Sequence, residues 1–581
     1  MKRISLMLAA TGVALSLRGW EHIAFETPGT ARWTNASGDS CWTNPANWAE
    51  GKVPGRFVCA YESPTELRRD DLPMYGVAGC TAVFGADAAY VSSPVRLGGL
   101  YSISNVVVEA GADGAFVFGE PAGGWPPLPL ERGGCVCVKA GVTAETTIDT
   151  VLAPGAGGPG GSCPFVLRND GLATLKMRNI GSVSSFQDPA GWTPLTQTLR
   201  GTGEIRRTEH FYTDGFVVNL LLEMSGGTYV PNCATESEQN GYGGVTAADT
   251  GFRQHVRIDS GKFLYVSGNG QWARPLLANG DLLIDGDGEL RVNTTDWAAY
   301  FDVAQGKTLT IACNLATYAG KHGYSLYPQS AGVLEMSGNF LGAANPSVPA
   351  GTLQVARIGA AGEASPLGTG DGVTLSGGAL RYAGAGETTD RILTLTKASA
   401  LEQVGVGELV FTAAPIGSAA LTVRNAGSTA AVAFAASVTT PLVLASGACL
   451  AAVSSAGDAA VDVAFASLTL TAGAHVLRVD DGVTLTVSAL ARGDAAATLD
   501  VVGAGTLKLP GFAAGMLPPW LTRNGVRARV DAAGEVGTPG AADREIDARG
   551  GVIPHAPGEV VAITTANGET AGVTLAADET A

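Results

Sequence analysis

The chain has 581 residues and a formal net charge of −16, with an isoelectric point near 4.9. An acidic surface repels phosphate backbones, which argues against nucleic-acid binding and instead keeps a strand-rich particle soluble. Hydrophobic residues make up 46% and charged residues only 15%, so the chain is too apolar to remain disordered. Its 80 glycines lack the period of three that collagen requires.

The N-terminus reads as a secretory signal. Lys2 and Arg3 form a positive start, Ile4 to Leu15 an apolar run, and Ala14-Leu15-Ser16 supplies small residues for cleavage after Ser16. That run is too short to cross a bilayer as a helix, and no other stretch is long and apolar enough. The mature chain is therefore expected to be exported, to the cell surface or beyond. Residues 17–130 form an irregular β region with Trp33, Trp42 and Trp48 in the segment RWTNASGDSCWTNPANWAEGKVPG. Three indoles supply enough apolar area to cap the open end of a β stack. The alternative is a platform on which a sugar ring stacks, which makes the same three residues the candidate ligand-binding set.

Six of the nine cysteines lie before residue 170. In an oxidising export compartment disulfides are expected among those six. Cys135-Val136-Cys137 places two thiols on one strand face, but no second cysteine pair or nearby histidine completes a zinc set. The later cysteines read as buried small hydrophobes. The Pro/Gly-rich stretches 121–131 and 153–164 read as loops.

From about 131 to 515 short strand-like runs alternate with glycine corners, and no amphipathic helix fits between them. The pattern G-x-G-[ET]-[IL] occurs at 201–205, 286–290, 405–409 and 503–507. Such punctuation predicts a solenoid with coils of roughly 20–25 residues. Asp285, Asp287 and Glu289 are the best acidic cluster. On one extended strand all three would share a face, which makes them the candidate metal ligands, for a calcium ion. Asp371-Gly372 and Asp480-Asp481-Gly482 read as turns, and Thr389-Asp390-Arg391 reads as a corner closure.

The densest repeat is Gly351–Leu395. Its elements GTLQV, SPLGTG, VTLSGGALRY and TTDRILTL resemble the autotransporter-associated β-strand repeat, also called the passenger-associated transport repeat. The Trp-containing segment is similar to the block that often opens such proteins. The resemblance implies a secreted, right-handed parallel β-helix and brings no catalytic residues with it.

Past 516, Leu517-Pro518-Pro519-Trp520 interrupts the stack. Asn524-Gly525 between alternating runs predicts a hairpin, and strand-like VVAITT and AGVTL follow. The stack is expected to continue in a longer protein. The reading is an all-β chain: a right-handed parallel β-helix with a Trp-rich N-terminal cap. Its expected role is that of a secreted or cell-surface, non-enzymatic, structural or adhesin-like protein with a glycan or cell-surface component as partner. The alternative is a glycan-binding or polysaccharide-degrading β-helix. No catalytic residue and no cofactor are expected.

Overall fold

The computed structural model describes residues 27–574 apart from 60–78, 87–94, 98–99, 113–115, 119–127, 155–164, 181–194, 209–219, 232–240, 243, 266–275, 293–298, 318–321, 426–429, 456–459, 516–517, 539–542, 547–559 and 565–569. The signal-like segment 1–16 lies outside the described residues. So do the side chains of Cys59, Cys163 and Cys233.

Among the described residues the only helix is the 3-10 turn Pro45–Asn47, opened by Asn44, whose side chain accepts from the Ala46 N–H. Everything else regular is strand, mostly of three to six residues. The chain divides into two compact units, Met1–Tyr318 and Ala319–Ala581. The boundary expected at 130 falls inside one strand, Leu128–Val138, so the capping region and the stack share that element.

Both units are parallel β-solenoids, and the register shows how each coil is added. In the first unit Leu175, Ile205, Tyr229, Val256, Ile284 and Ile311 are successive partners across parallel strands. All six are buried. In the second, Leu334, Leu353, Leu380, Leu401, Val423, Leu444 and Leu470 form an equivalent buried row. Each coil thus contributes one apolar residue per row, and within each unit the row is a continuous column. Inward and outward residues alternate along each strand because the pleat has a period of two. The coils take about 19–30 residues between successive members of these rows, a wider spread than the 20–25 expected.

The recurring G-x-G-[ET]-[IL] pattern has one structural meaning. It is a corner followed by a strand, and its Ile or Leu enters the core: Ile205, Leu290, Leu409 and Leu507 are all buried. The first glycine sits against the coil below. A Cβ on Gly405 would lie 2.1 Å from the Gly384 carbonyl oxygen, and one on Gly286 2.3 Å from that of Ile258. Gly286 also has φ +108, a conformation open to glycine but costly for other residues.

Gly351–Leu395 forms five strands: Thr352–Val355, Gly372–Leu375, Ala379–Tyr382, Ala385–Thr389 and Ile392–Leu395. Gly372–Leu375 pairs in parallel with Ile392–Leu395, and Thr352–Val355 with Ala379–Tyr382. The predicted hairpin is present: Leu521–Arg523 runs antiparallel to Val526–Arg527. Asn524 and Gly525 have φ of 50 and 77, as a two-residue turn matched to strand twist requires.

Candidate functional site

The three tryptophans come together, but inside the fold. Trp33 follows the strand Thr30–Arg32, which pairs with Thr81–Phe84. Trp33 and Trp48 meet edge to face at 5.0 Å, as do Trp42 and Trp48 at 4.9 Å, and Phe84 and Phe118 extend the cluster. The Trp48 indole N–H donates to the Trp42 carbonyl (2.8 Å) and that of Trp42 to the Pro54 carbonyl (3.3 Å). All three are at most 2% exposed. A sugar would have to stack on ring faces that these neighbours already occupy.

Asp285, Asp287 and Glu289 do not share one strand face. Leu282–Asp285 ends at the first and Glu289–Val292 begins at the last, with the Gly286–Gly288 corner between them. The corner breaks the alternation on which the one-face reading rested. Asp285 bonds His255, Glu289 bonds Arg291 at 2.9 Å, and Asp287 is exposed at the turn. Among the described residues no group of three or more His, Cys, Asp or Glu stands close enough to hold a metal ion.

The polar side chains that do converge lie on the outward face of the first unit. Glu204 and Arg206 come from Glu204–Arg207, Thr228 from Thr228–Val230, and His255 and Arg257 from Gln254–Arg257. Thr228 and His255 are partners in register, as are Arg257 and Asp285. His255 Nε2 lies 2.7 Å from Asp285 Oδ1, and His255 Nδ1 lies 3.3 Å from Thr228 Oγ1. With Nε2–H donating to the carboxylate, Nδ1 is left to accept from the Thr228 hydroxyl. This hydroxyl–imidazole–carboxylate chain spans three coils. It is also the connectivity through which an imidazole activates a hydroxyl.

Beside it a ring of four charges closes on itself. Arg206 reaches Glu204 (3.1 Å) and Asp259 (2.9 Å), and Arg257 reaches Glu204 (2.8 Å) and Asp259 (2.8 Å). Each carboxylate therefore serves two guanidinium groups, and burial of the Asp259 carboxyl is outweighed by its two arginines, which hold its pKa down. Histidines scattered singly in the sequence gave no local motif for this face. The signal was the coil period, since Thr228, His255 and Asp285 follow one another at about one coil each.

In the second unit the corner closure at Thr389-Asp390-Arg391 is built in full. Thr389 Oγ1 donates to the Gly359 carbonyl (2.7 Å), and Asp390 accepts from the Ala361 N–H (2.7 Å). Arg391 is fully buried. Its guanidinium donates to the carbonyls of Gly359 (3.1 Å), Ala360 (3.0 Å), Glu363 (3.1 Å), Gly368 (2.6 Å) and Gly370 (2.6 Å), and to Ser365 Oγ (3.2 Å). It pins the long 356–371 connection of the coil beneath, and its full burial keeps the guanidinium from the surface.

Of the six N-terminal cysteines among which disulfides were expected, Cys41, Cys135 and Cys137 carry free thiols, and the side chains of Cys59 and Cys163 lie outside the described residues. Cys313 is buried as expected, and Cys449 is only partly so. No helix among the described residues is long and apolar enough to cross a membrane. Comparison with protein-family models, with curated proteins and with solved structures finds no match for this chain.

Proposed function

We propose that this β-solenoid is an exported, non-enzymatic protein of the autotransporter-repeat type, wound right-handed, that serves as a structural or adhesive element at the cell surface. One observation carries the non-enzymatic reading: the carboxylates best placed for chemistry already have intramolecular partners. Glu204 and Asp259 each hold two arginines, Asp285 holds His255, and Glu402 holds Arg381 and Arg424. A glycosidase or lyase needs an acid or base free to meet its substrate. Here the charges clip one coil to the next. Export rests on the signal-like start, and the repeat type on the motifs of 351–395.

The second reading, a polysaccharide-active or glycan-binding β-helix, is favoured by the Thr228–His255–Asp285 chain alone. The deciding experiment incubates the full chain and its His255→Ala variant with a panel of acidic and neutral polysaccharides and follows release of new chain ends. No release above the variant's background is expected. Release that depends on His255 would overturn the structural reading. A glycan array on the same two proteins separates adhesion, which survives the variant, from turnover.

A further inference from the structure

On the strand Leu128–Val138, Val136 and Val138 are buried in the core. Alternation therefore turns Cys135 and Cys137 together to the opposite face. Cys135 is half-buried and Cys137 is 6% exposed. In register with Cys137 stand Val107 on one neighbouring strand and Arg168 on the other. Cys135 has Asn105 and Val166. Arg168 is itself paired with Asp170 at 2.6 Å.

The two thiols stand two residues apart on that one strand face. Hydrogen bonding from Cys135, with Lys139 and Arg168 nearby, outweighs burial and holds the Cys137 thiol below its ordinary value. The same hydrogen bond, with burial, pushes Cys135 up.

Three kinds of chemistry compete for such a pair. A disulfide fits the strand poorly: at a rise of about 3.3 Å per residue the two Cα atoms stand about 6.6 Å apart, at the long end of the range for disulfides. Closing it would pull the strand from its pairing with Val107 and Arg168. Zinc fits poorly too, because it takes four protein ligands in a closed site. Among the described residues no third His, Cys, Asp or Glu joins the two thiols. A soft ion content with two sulfurs fits both the ligand type and the ligand number.

We infer that Cys135 and Cys137 form a two-thiolate chelate for a soft monovalent metal ion of the Cu(I) class. Binding forms two S–Cu bonds, releases the thiol protons still present to solvent, and leaves the metal's oxidation state unchanged. The proposal does not depend on the function proposed above.

The test titrates the reduced full chain, under anaerobic conditions, with Cu(I) in competition with bicinchoninate. One equivalent is expected to be withdrawn by the protein. Cys135→Ser and Cys137→Ser are each expected to lose that equivalent, and Cys313→Ser to keep it. A second readout uses the unmodified chain and so does not depend on any variant folding. Iodoacetamide labelling mapped by mass is expected to fall at Cys135 and Cys137 together when one equivalent of Cu(I) is present. Retention of the equivalent in both serine variants would overturn the proposal, and so would undiminished labelling of the pair.

Discussion

Arg391 shows what a single buried charge does in this fold. Its guanidinium donates to five carbonyls of the 356–371 connection. Arg391→Met removes every one of those bonds at once. The expected loss is about 3–5 kcal/mol, read as a lower denaturant midpoint. Arg391→Lys is expected to recover little, because an ammonium has three donors and no planar fork. Cys313 gives a pH-dependent case. Burial raises its thiol to about 11 from an ordinary 9.0. Between those values the folded state holds the proton and the unfolded state releases it, so stability falls as pH rises through the window. At the top of the window the loss reaches about 3 kcal/mol. Urea titrations of the wild type and Cys313→Ala at pH 8 and pH 11 are expected to show the wild type losing more. Equal losses would place the slope elsewhere.

At the scale of the element, ladder rows set how much a charge contributes. Gln354, Arg381, Glu402 and Arg424 are successive partners on parallel strands of the second unit. Glu402 lies between two arginines at 2.8 and 3.0 Å with its side chain 9% exposed. Glu204 in the first unit also has two arginines, but the members of its ring are 24–43% exposed. Glu402→Gln strands two guanidinium groups over a nearly dry carboxamide and is expected to cost about 2–4 kcal/mol. Glu204→Gln is expected to cost less than about 1 kcal/mol, shrinking further in high salt. Equal costs would mean that burial does not govern these ladders. The G-x-G corners and the Asn524-Gly525 hairpin belong to this scale as well, and both were legible in advance, because glycine and Asn-Gly report a backbone conformation directly. The acidic run 285–289 was misread at this scale: the alternation argument assumed an unbroken strand where Gly286 turns the chain.

For the whole molecule, composition is the controlling quantity. Parallel stacks present strand edges that pair readily with other chains, and a net charge of −16 opposes that encounter. Light scattering is expected to rise as pH is lowered from 7 towards the isoelectric point near 4.9, and to reverse on returning to pH 7. No rise near that point would show that charge is not what keeps the chains apart.

The sequence by itself determined the fold class. Short β-prone runs, glycine corners and the absence of any helical period leave stacking as the one way to bury 46% hydrophobic residues, and each of these signals is local. Which side chains meet was decided by the tertiary structure alone. Thr228, His255 and Asp285 stand about a coil apart in sequence and within hydrogen-bonding distance in space. Arg391 reaches back across more than twenty residues to the carbonyls it holds, and the three tryptophans pack edge to face against one another, away from solvent. The physical reason is register. A solenoid brings together residues one coil apart, and the coil length varies from turn to turn, so a partner's position is fixed only once every intervening corner has been laid down.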